Sequence, residues 1–453
     1  MKPNNITILY LTIFFFLAAC HDKDLLSENT DSSLLTINSV ENAQALLDNT
    51  SVIRETPGLG ELSADDFYLD DTLANSQVEL NAYTWQADIF QGQTLYGDWA
   101  IPYKQIFFAN SIIEAIPKFS GSAKPEAINN IKGSAKFIRA YAHYNIALEF
   151  AKLYSQTAAT DPGIPLRLSA DHEIRSSRAS VEATYNQIIN DLKEALPLLP
   201  ATIDDNRKNR PSLAAGYALL ARVYLTMADY AQATLYADSC LKLHANLIDY
   251  NSIPANSLLP FTPNNAEVIY QSSLLSTIGL FYQDNFVVDT TLYNSYDLSD
   301  LRKSIYFTTN WQGKAILKPG YSGGPIKFSG LATDEILLIR AESNARLNNT
   351  SEAMNDLNTL LGKRWNTGSF VPFTAASSAE ALDLILAERR KSLISRGLRW
   401  IDVRRYNLDN RGIDLTRLLN GKKYTLSAGN NRFVLPIPPD VIASLPEMPQ
   451  NPR

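Results

Sequence analysis

Cys20 stands in a context that directs a covalent lipid modification. It closes the string Leu17-Ala18-Ala19-Cys20, and small residues before a cysteine suit a lipoprotein signal peptidase, which would leave Cys20 as the new N-terminus. Its thiol would then carry a diacylglyceryl group and its amine a further acyl chain. Two or more such chains anchor a protein stably in a membrane, where one binds only reversibly. Lys2 and the largely apolar run from Ile6 to Ala19 lead into this string and have the form of a secretory signal. The run is too short to cross a bilayer as a helix, which takes about 20 apolar residues. The expected division is a signal peptide at 1–19 and a mature chain from Cys20.

A second chemistry belongs to the aromatic residues outside helical patterns. Trp85 and Trp311, with Tyr83, Tyr68, Tyr293 and Tyr296 in support, are the candidates for a platform that binds sugars. The apolar C–H faces of sugar rings pack on aromatic planes, while their hydroxyls need polar neighbours such as Asp66, Asp70 or Asn81. The competing expectation for each ring is a place in the mini-core of its own loop. Trp99 lies in a helical pattern and is assigned to packing.

Other chemistries find little support. The histidines His21, His143, His172 and His244 are scattered, and none forms an i, i+4 pair or a Cys/His cluster of zinc spacing. Neither a Gly-rich phosphate loop nor a Gly-x-Ser-x-Gly elbow is present. Asp65, Asp66, Asp70 and Asp71 crowd together without the spacing of a calcium loop, and a solvated acidic surface is expected there. No metal or other cofactor is expected, and no enzyme activity. With 47 acidic residues, some carboxylate pair is always available, so acid content alone says nothing about glycoside hydrolysis. A net charge of −6 disfavours a nucleic-acid partner, which needs clustered Lys and Arg. With Cys20 assigned to lipid, Cys240 has no partner for an intramolecular disulfide.

The elements that would position these residues are mostly helical, since apolar residues recur at three- and four-residue intervals. Pro211 to Leu243 reads as a helical hairpin turning at Ala228-Asp229-Tyr230. A second runs from Asp334 to Leu347, turns at Asn348-Asn349-Thr350 and continues to Leu361. Ala221 and Ala233 in the first have the same separation as Ala341 and Ala353 in the second. Small residues so placed let antiparallel helices approach closely, as in tetratricopeptide repeats. A less regular pair spans about Trp99 to Ile116 and Ile128 to Tyr154, followed by a helix over about Ser180 to Leu199. The stretches 59–93 and 246–331 lack a sustained helical period. Long segments of this kind are functional or disordered, and their aromatic content argues for order.

Several of these segments, taken in order, resemble the SusD/RagB family over essentially the whole chain. Trp99-Ala-Ile-Pro-Tyr103 with Ile106, Asn110 and Ile113 is similar to the family's first repeat helix. Ala135-Lys-Phe137-Ile-Arg139-Ala140-Tyr141 resembles its arginine-bearing helix, Ala218-Leu-Leu-Ala-Arg222-Val-Tyr224-Leu its "ALLARVYL" helix, and Glu335 to Glu342 a later one. The run Glu388-Arg389-Arg390-Lys391-Ser392-Leu393 with Arg396-Gly397-Leu-Arg399-Trp400-Ile-Asp402-Val-Arg404-Arg405 is the most specific match, followed by Pro436-Ile-Pro438 and Asn451-Pro452. Physically that run reads as scaffold: Leu382, Ile385, Leu386 and Leu393 form a helical face, Gly397 suits a left-handed helix end, and Arg396 and Arg399 suit charge-assisted bonds to carboxylates or helix-end carbonyls. Ala-Glu-Ser343 departs from the family's usual Ala-Glu-Ala.

The resemblance implies a mainly α fold, an α-α superhelix of tetratricopeptide-like hairpins with irregular loop-rich insertions. It would be a single domain over 20–453, with scaffold at about 96–243 and 332–361, insertions at about 59–93 and 246–331, and a C-terminal family segment at about 378–453. It implies a lipoprotein of the outer membrane that captures oligosaccharides, or peptides in the RagB branch, for a SusC-like TonB-dependent transporter. His21-Asp22-Lys23-Asp24 resembles the surface-export signals of Bacteroidota lipoproteins and implies an outward orientation. A surface hydrolase and a ligand-free adaptor for the transporter are the alternatives from other functional classes.

Overall fold

In the computed structural model, residues 37–453 are described, except 70–75, 95, 122, 276–277 and 283–285 and the side chains at 280 and 282. The predicted lipidation residue Cys20, the signal segment, and Asp70 and Asp71 lie outside the described residues. The long helices are α1 (Gly97–Ala115), α2 (Pro125–Phe150), α3 (Val181–Ala195), α4 (Leu213–Thr226), α5 (Tyr230–Leu243), α6 (Thr333–Arg346), α7 (Thr350–Leu361), α8 (Ser378–Ser392) and α9 (Arg399–Leu408).

Short polar side chains start many of these helices. Ser180, Ser212 and Ser377 accept from the amides of Ala183, Ala215 and Glu380, and Asp229 accepts from that of Gln232, so each satisfies one of the amides a helix start leaves without a partner. Sequence neighbours pack in order, α1 on α2, α2 on α3, α4 on α5 and α6 on α7. Ala221, Ala233, Ala341 and Ala353 are all fully buried at these contacts, as the shared alanine separation predicts. Both regular hairpins turn through a left-handed residue, Ala228 (φ 60°) in one and Asn348 (φ 66°) in the other.

Helix α5 also packs on α6, so the chain between them is extruded as an insertion and returns to the same stack. That insertion carries short elements that periodicity did not disclose. Strand β1 (Phe67–Leu69), from the earlier irregular stretch, pairs antiparallel with β2 (Phe286–Val288), and β3 (Phe307–Thr309) forms a hairpin with β4 (Ala315–Leu317). Further on, β5 (Leu415–Leu419) and β6 (Lys422–Leu426) form a hairpin at the C-terminal end. Strands of three residues are too short to show an alternation, which is why the sequence reads only as irregular.

Buried ion pairs clamp the insertion and the C-terminal segment to the helices. Arg364 meets Glu267 at 2.8 Å and Arg302 meets both Asp300 and Glu388 at 2.6 Å, while Arg222 ties α4 to α6 through Glu335 at 2.6 Å and donates to the Gly330 carbonyl of the insertion. In the run singled out by sequence, Arg389 pairs with Asp402, Arg396 with Asp334, Arg399 with Asp65, and Arg405 with Glu342 and Asp402. Arg404 donates to the carbonyls of Leu148 and Ala151 at the end of α2. The scaffold reading of this run therefore holds. Gly397 does adopt a left-handed conformation (φ 74°), but it sits in the bend before α9 and not at the end of α8.

Candidate ligand-binding site

The aromatic residues predicted to form a platform divide sharply by burial. Trp85 is 3% exposed. Its indole Nε1 donates to the Ser63 carbonyl at 3.0 Å, and its backbone is left-handed at φ 54°. Tyr83 is fully buried, with its hydroxyl accepting from the Leu69 amide at 2.8 Å. The Arg417 guanidinium stacks 3.8 Å from the Tyr83 ring centre and 5.1 Å from that of Trp85. Tyr296 is buried as well, and its hydroxyl donates to the Lys391 carbonyl at 2.8 Å. In this structure these three rings are core, because Arg417, brought by β5, covers two of them and Phe307 packs edge-on against the third.

Trp311, Tyr293 and Tyr68 remain available at the surface. Trp311 is 83% exposed at the tip of the β3–β4 hairpin. The Asn310 side chain accepts from the amides of Gln312 and Lys314, and Gly313 takes φ 76°, so the turn is knitted internally and presents the indole to solvent. Half-buried Tyr293 packs edge-on against Phe307 of the same hairpin, with the Lys303 ammonium 5.0 Å over its ring. Half-buried Tyr68 lies on β1 opposite Val287 of β2, and β2 packs against β4. All three thus ride on neighbouring elements of one small layer. Trp85 does not share it as a surface residue.

Of the polar partners named from sequence, Asp66 and Asn81 are internal, and Asp70 lies outside the described residues. Asp66 is 1% exposed and accepts from Arg390 Nε at 2.8 Å; burial raises its carboxyl despite the nearby Arg390 and Arg399. Burial acts the same way on Asp65, but the Arg399 hydrogen bonds and charge outweigh it and hold that carboxyl below the ordinary range. The expected solvated acidic surface is, over half-buried Asp65 and buried Asp66, an ion-pair cluster with Arg390 and Arg399. Asn81 is also buried and donates to the Ile89 carbonyl. Among the described residues, no three His, Cys, Asp or Glu side chains converge as a metal site would require.

Trp99 packs as assigned, edge-on against Phe150 with ring centres 5.1 Å apart. It also borders a cleft of about 290 Å³ with Tyr103 and Phe107. The i, i+4, i+8 spacing of those three rings is visible in the sequence, where only Trp99 is assigned to packing and Phe107 draws no reading.

A family model described as "starch-binding associating with outer membrane" matches residues 24–225, and the SusD family model matches residues 333–453. The chain belongs to the SusD family. A SusD-like protein of Formosa agariphila is 24% identical over 388 residues, covering 72% of this chain and 74% of that protein. The crystal structure of a SusD superfamily protein from Bacteroides thetaiotaomicron superposes with a TM-score of 0.76 at 23% identity, over 92% of this chain and all of the other. A SusD-like carbohydrate binding protein from Bacteroides vulgatus gives 0.70 at 19% identity, over 91% and 97%. These similarities place this SusD-family protein on the helical fold expected from the motifs. The family is one of binding proteins associated with the outer membrane. No described helix is long and apolar enough to cross a membrane.

Proposed function

We propose that this SusD-family protein is a lipid-anchored, outward-facing binding protein that captures oligosaccharides and passes them to a SusC-like TonB-dependent transporter. The observation that carries the glycan assignment is Trp311, a large apolar ring held 83% exposed at the tip of an internally bonded turn. Exposing an indole forgoes the burial free energy of the largest side chain, and a flat, rigid ring in that position suits the C–H face of a sugar. Tyr293 and Tyr68 on the adjoining elements extend the same chemistry. The starch-binding description of the matching family model supports this class of ligand. Anchoring rests on Cys20 and its lipobox.

Isothermal titration of the chain beginning after Cys20 against neutral oligosaccharides tests the ligand class. Saturable binding is expected, weakened roughly tenfold or more by Trp311→Ala, since base–aromatic stacking on a comparable platform is worth about 1–3 kcal/mol. Silence with every glycan, or heat with oligopeptides alone, overturns the glycan assignment, the second outcome in favour of RagB-like peptide capture. Membrane release of a Cys20→Ala variant tests the anchor, and co-purification with a SusC-like transporter tests the partner.

A further inference from the structure

A preformed groove lies between α1, the loop at 165–176 and the C-terminal chain at 441–449. The Tyr103 hydroxyl donates to the Pro165 carbonyl at 2.9 Å, and Asn110 Nδ2 donates to that of Arg167 at 3.1 Å, which ties the loop to α1. Arg167 turns back on its own loop and donates to the carbonyls of Asp171 and Ile174. On the far side Arg178 donates to the Pro449 carbonyl at 2.9 Å and to those of Gly163 and Pro162. These bonds hold both walls apart in a fixed geometry.

The groove consists of two adjoining clefts, about 290 and 240 Å³, which share Ser176, Leu445 and Met448 as lining. In the larger cleft Trp99, Tyr103 and Phe107 supply an aromatic floor from successive turns of α1, and Phe107 and Ile174 are 38% and 50% exposed. In a protein of net charge −6, no carboxylate is among the described residues that line the larger cleft, whereas Arg167, Arg175 and His172 are; the smaller cleft is lined by Glu447 and by Asp161, which pairs with Lys152. Arg167 is engaged with backbone carbonyls and exposed His172 pairs with Glu173 at 3.0 Å. Arg175 is exposed, and among the described residues no side chain pairs with it. A planar guanidinium without a side-chain partner among the described residues, beside aromatic rings, matches a carboxylate carried on a ring with apolar faces.

We infer that the larger cleft is a second ligand site, distinct from the Trp311 layer, and that it takes acidic oligosaccharides: a uronate carboxylate on Arg175 and the ring faces of the glycan on Phe107 and Tyr103, with the carboxylate-lined smaller cleft left to a neutral or exposed continuation of the chain. It rests on the proposal that the ligands are glycans, but uses none of the residues assigned to the first site.

The test is titration with oligomers of galacturonate, glucuronate and mannuronate, alongside neutral oligosaccharides, on the wild type and on Arg175→Ala, Phe107→Ala and Trp311→Ala. Both groove side chains are exposed enough for the variants to fold, and thermal melts verify it. At least one uronate oligomer should bind, with affinity falling roughly tenfold in Arg175→Ala and in Phe107→Ala, unchanged in Trp311→Ala, and weakening as salt is raised. Failure of all three uronates to bind while a neutral glycan still binds overturns the second site and leaves the first intact. Uronate binding lost in Trp311→Ala and retained in Arg175→Ala overturns the groove as its location. Binding of a peptide carboxylate at Arg175 in place of uronates overturns the ligand class, and silence with every glycan overturns both sites together.

Discussion

Arg417 illustrates how a single residue settles the fate of the aromatic loops. Its guanidinium is buried and donates to the carbonyls of Tyr83, Phe67, Leu62 and Ala64, while its plane stacks on Tyr83. Burial lowers its pKa, and nearby Tyr83 and Asp65 oppose that shift. Replacing it by methionine keeps much of the apolar stem but leaves four buried carbonyls without a donor, each costing about 1–3 kcal/mol unless water enters. Arg417→Met is therefore expected to lower stability by at least about 3 kcal/mol in a denaturant titration. Trp311→Ala should shift the same midpoint by less than about 0.5 kcal/mol, as substitutions of exposed residues usually do. A large loss of stability for Trp311→Ala would mean that the indole is packed and the exposed-ring argument for binding fails.

Among the elements, the two regular hairpins differ in the residue they place at the left-handed turn. Asn348 tolerates that conformation, whereas Ala228 pays for its Cβ there, by about 1 kcal/mol. The substitution Ala228→Gly removes that strain, offset in part by the greater freedom of glycine in the unfolded chain. A net gain of about 0.5 kcal/mol is expected in thermal or chemical melts, and a loss would show that the Ala228 methyl packs. The helices themselves were legible from sequence because each runs for many residues and repeats its apolar spacing. The strands were not, since β1 to β4 are three residues each and are selected by partners far away in sequence, Phe67 by Val288 and Phe307 by Leu317. Tertiary pairing overrides weak local preference in such pieces.

Across the whole molecule, the N-terminal segment is held on the helices by two carboxyl groups. Asp98 Oδ1 accepts from the amides of Gly58 and Leu59 at 2.7 and 2.8 Å, and Glu149 Oε1 accepts from that of Gly60 at 2.8 Å. The two carboxyls also lie within hydrogen-bonding reach of each other. Burial raises Asp98 from its ordinary 3.8 to about 6, against the opposing effect of those amide bonds, and burial together with the neighbouring Asp98 raises Glu149 well above the ordinary range. The folded state therefore keeps a proton that the unfolded chain releases. The stability from this pair is fully present below pH 3.8 and is lost as pH rises through about 6. Glu342 runs the other way: burial would raise it, but the Arg405 charge and hydrogen bonds bring it to about 2, so its contribution is present above pH 4.5 and lost on acidification. An Asn at position 98 retains an acceptor for the amides and offers Glu149 a permanent donor. Asp98→Asn should therefore be more stable than the wild type at pH 8, by about 2 kcal/mol, with the advantage shrinking toward pH 4. Equal pH profiles for the two proteins would show that the carboxyls share no proton.

What the sequence determined by itself was whatever is written locally or in ordered strings: the helices and their alanine contacts, the scaffold role of the Glu388–Arg405 run, and the family motifs that lead to the SusD fold. The tertiary structure alone decided which aromatic residues face solvent. Trp85 and Trp311 are equivalent as residue types in irregular stretches, yet a guanidinium more than three hundred positions away stacks on one, while a short self-bonded turn lifts the other into water. Burial is set by what the rest of the chain brings alongside, and local spacing carries no record of it. The same holds for Asp65 and Asp66, which read as a solvated acidic patch until Arg390 and Arg399 fold over them, and for Arg175, which finds no side-chain partner among the described residues once the loop around it is closed.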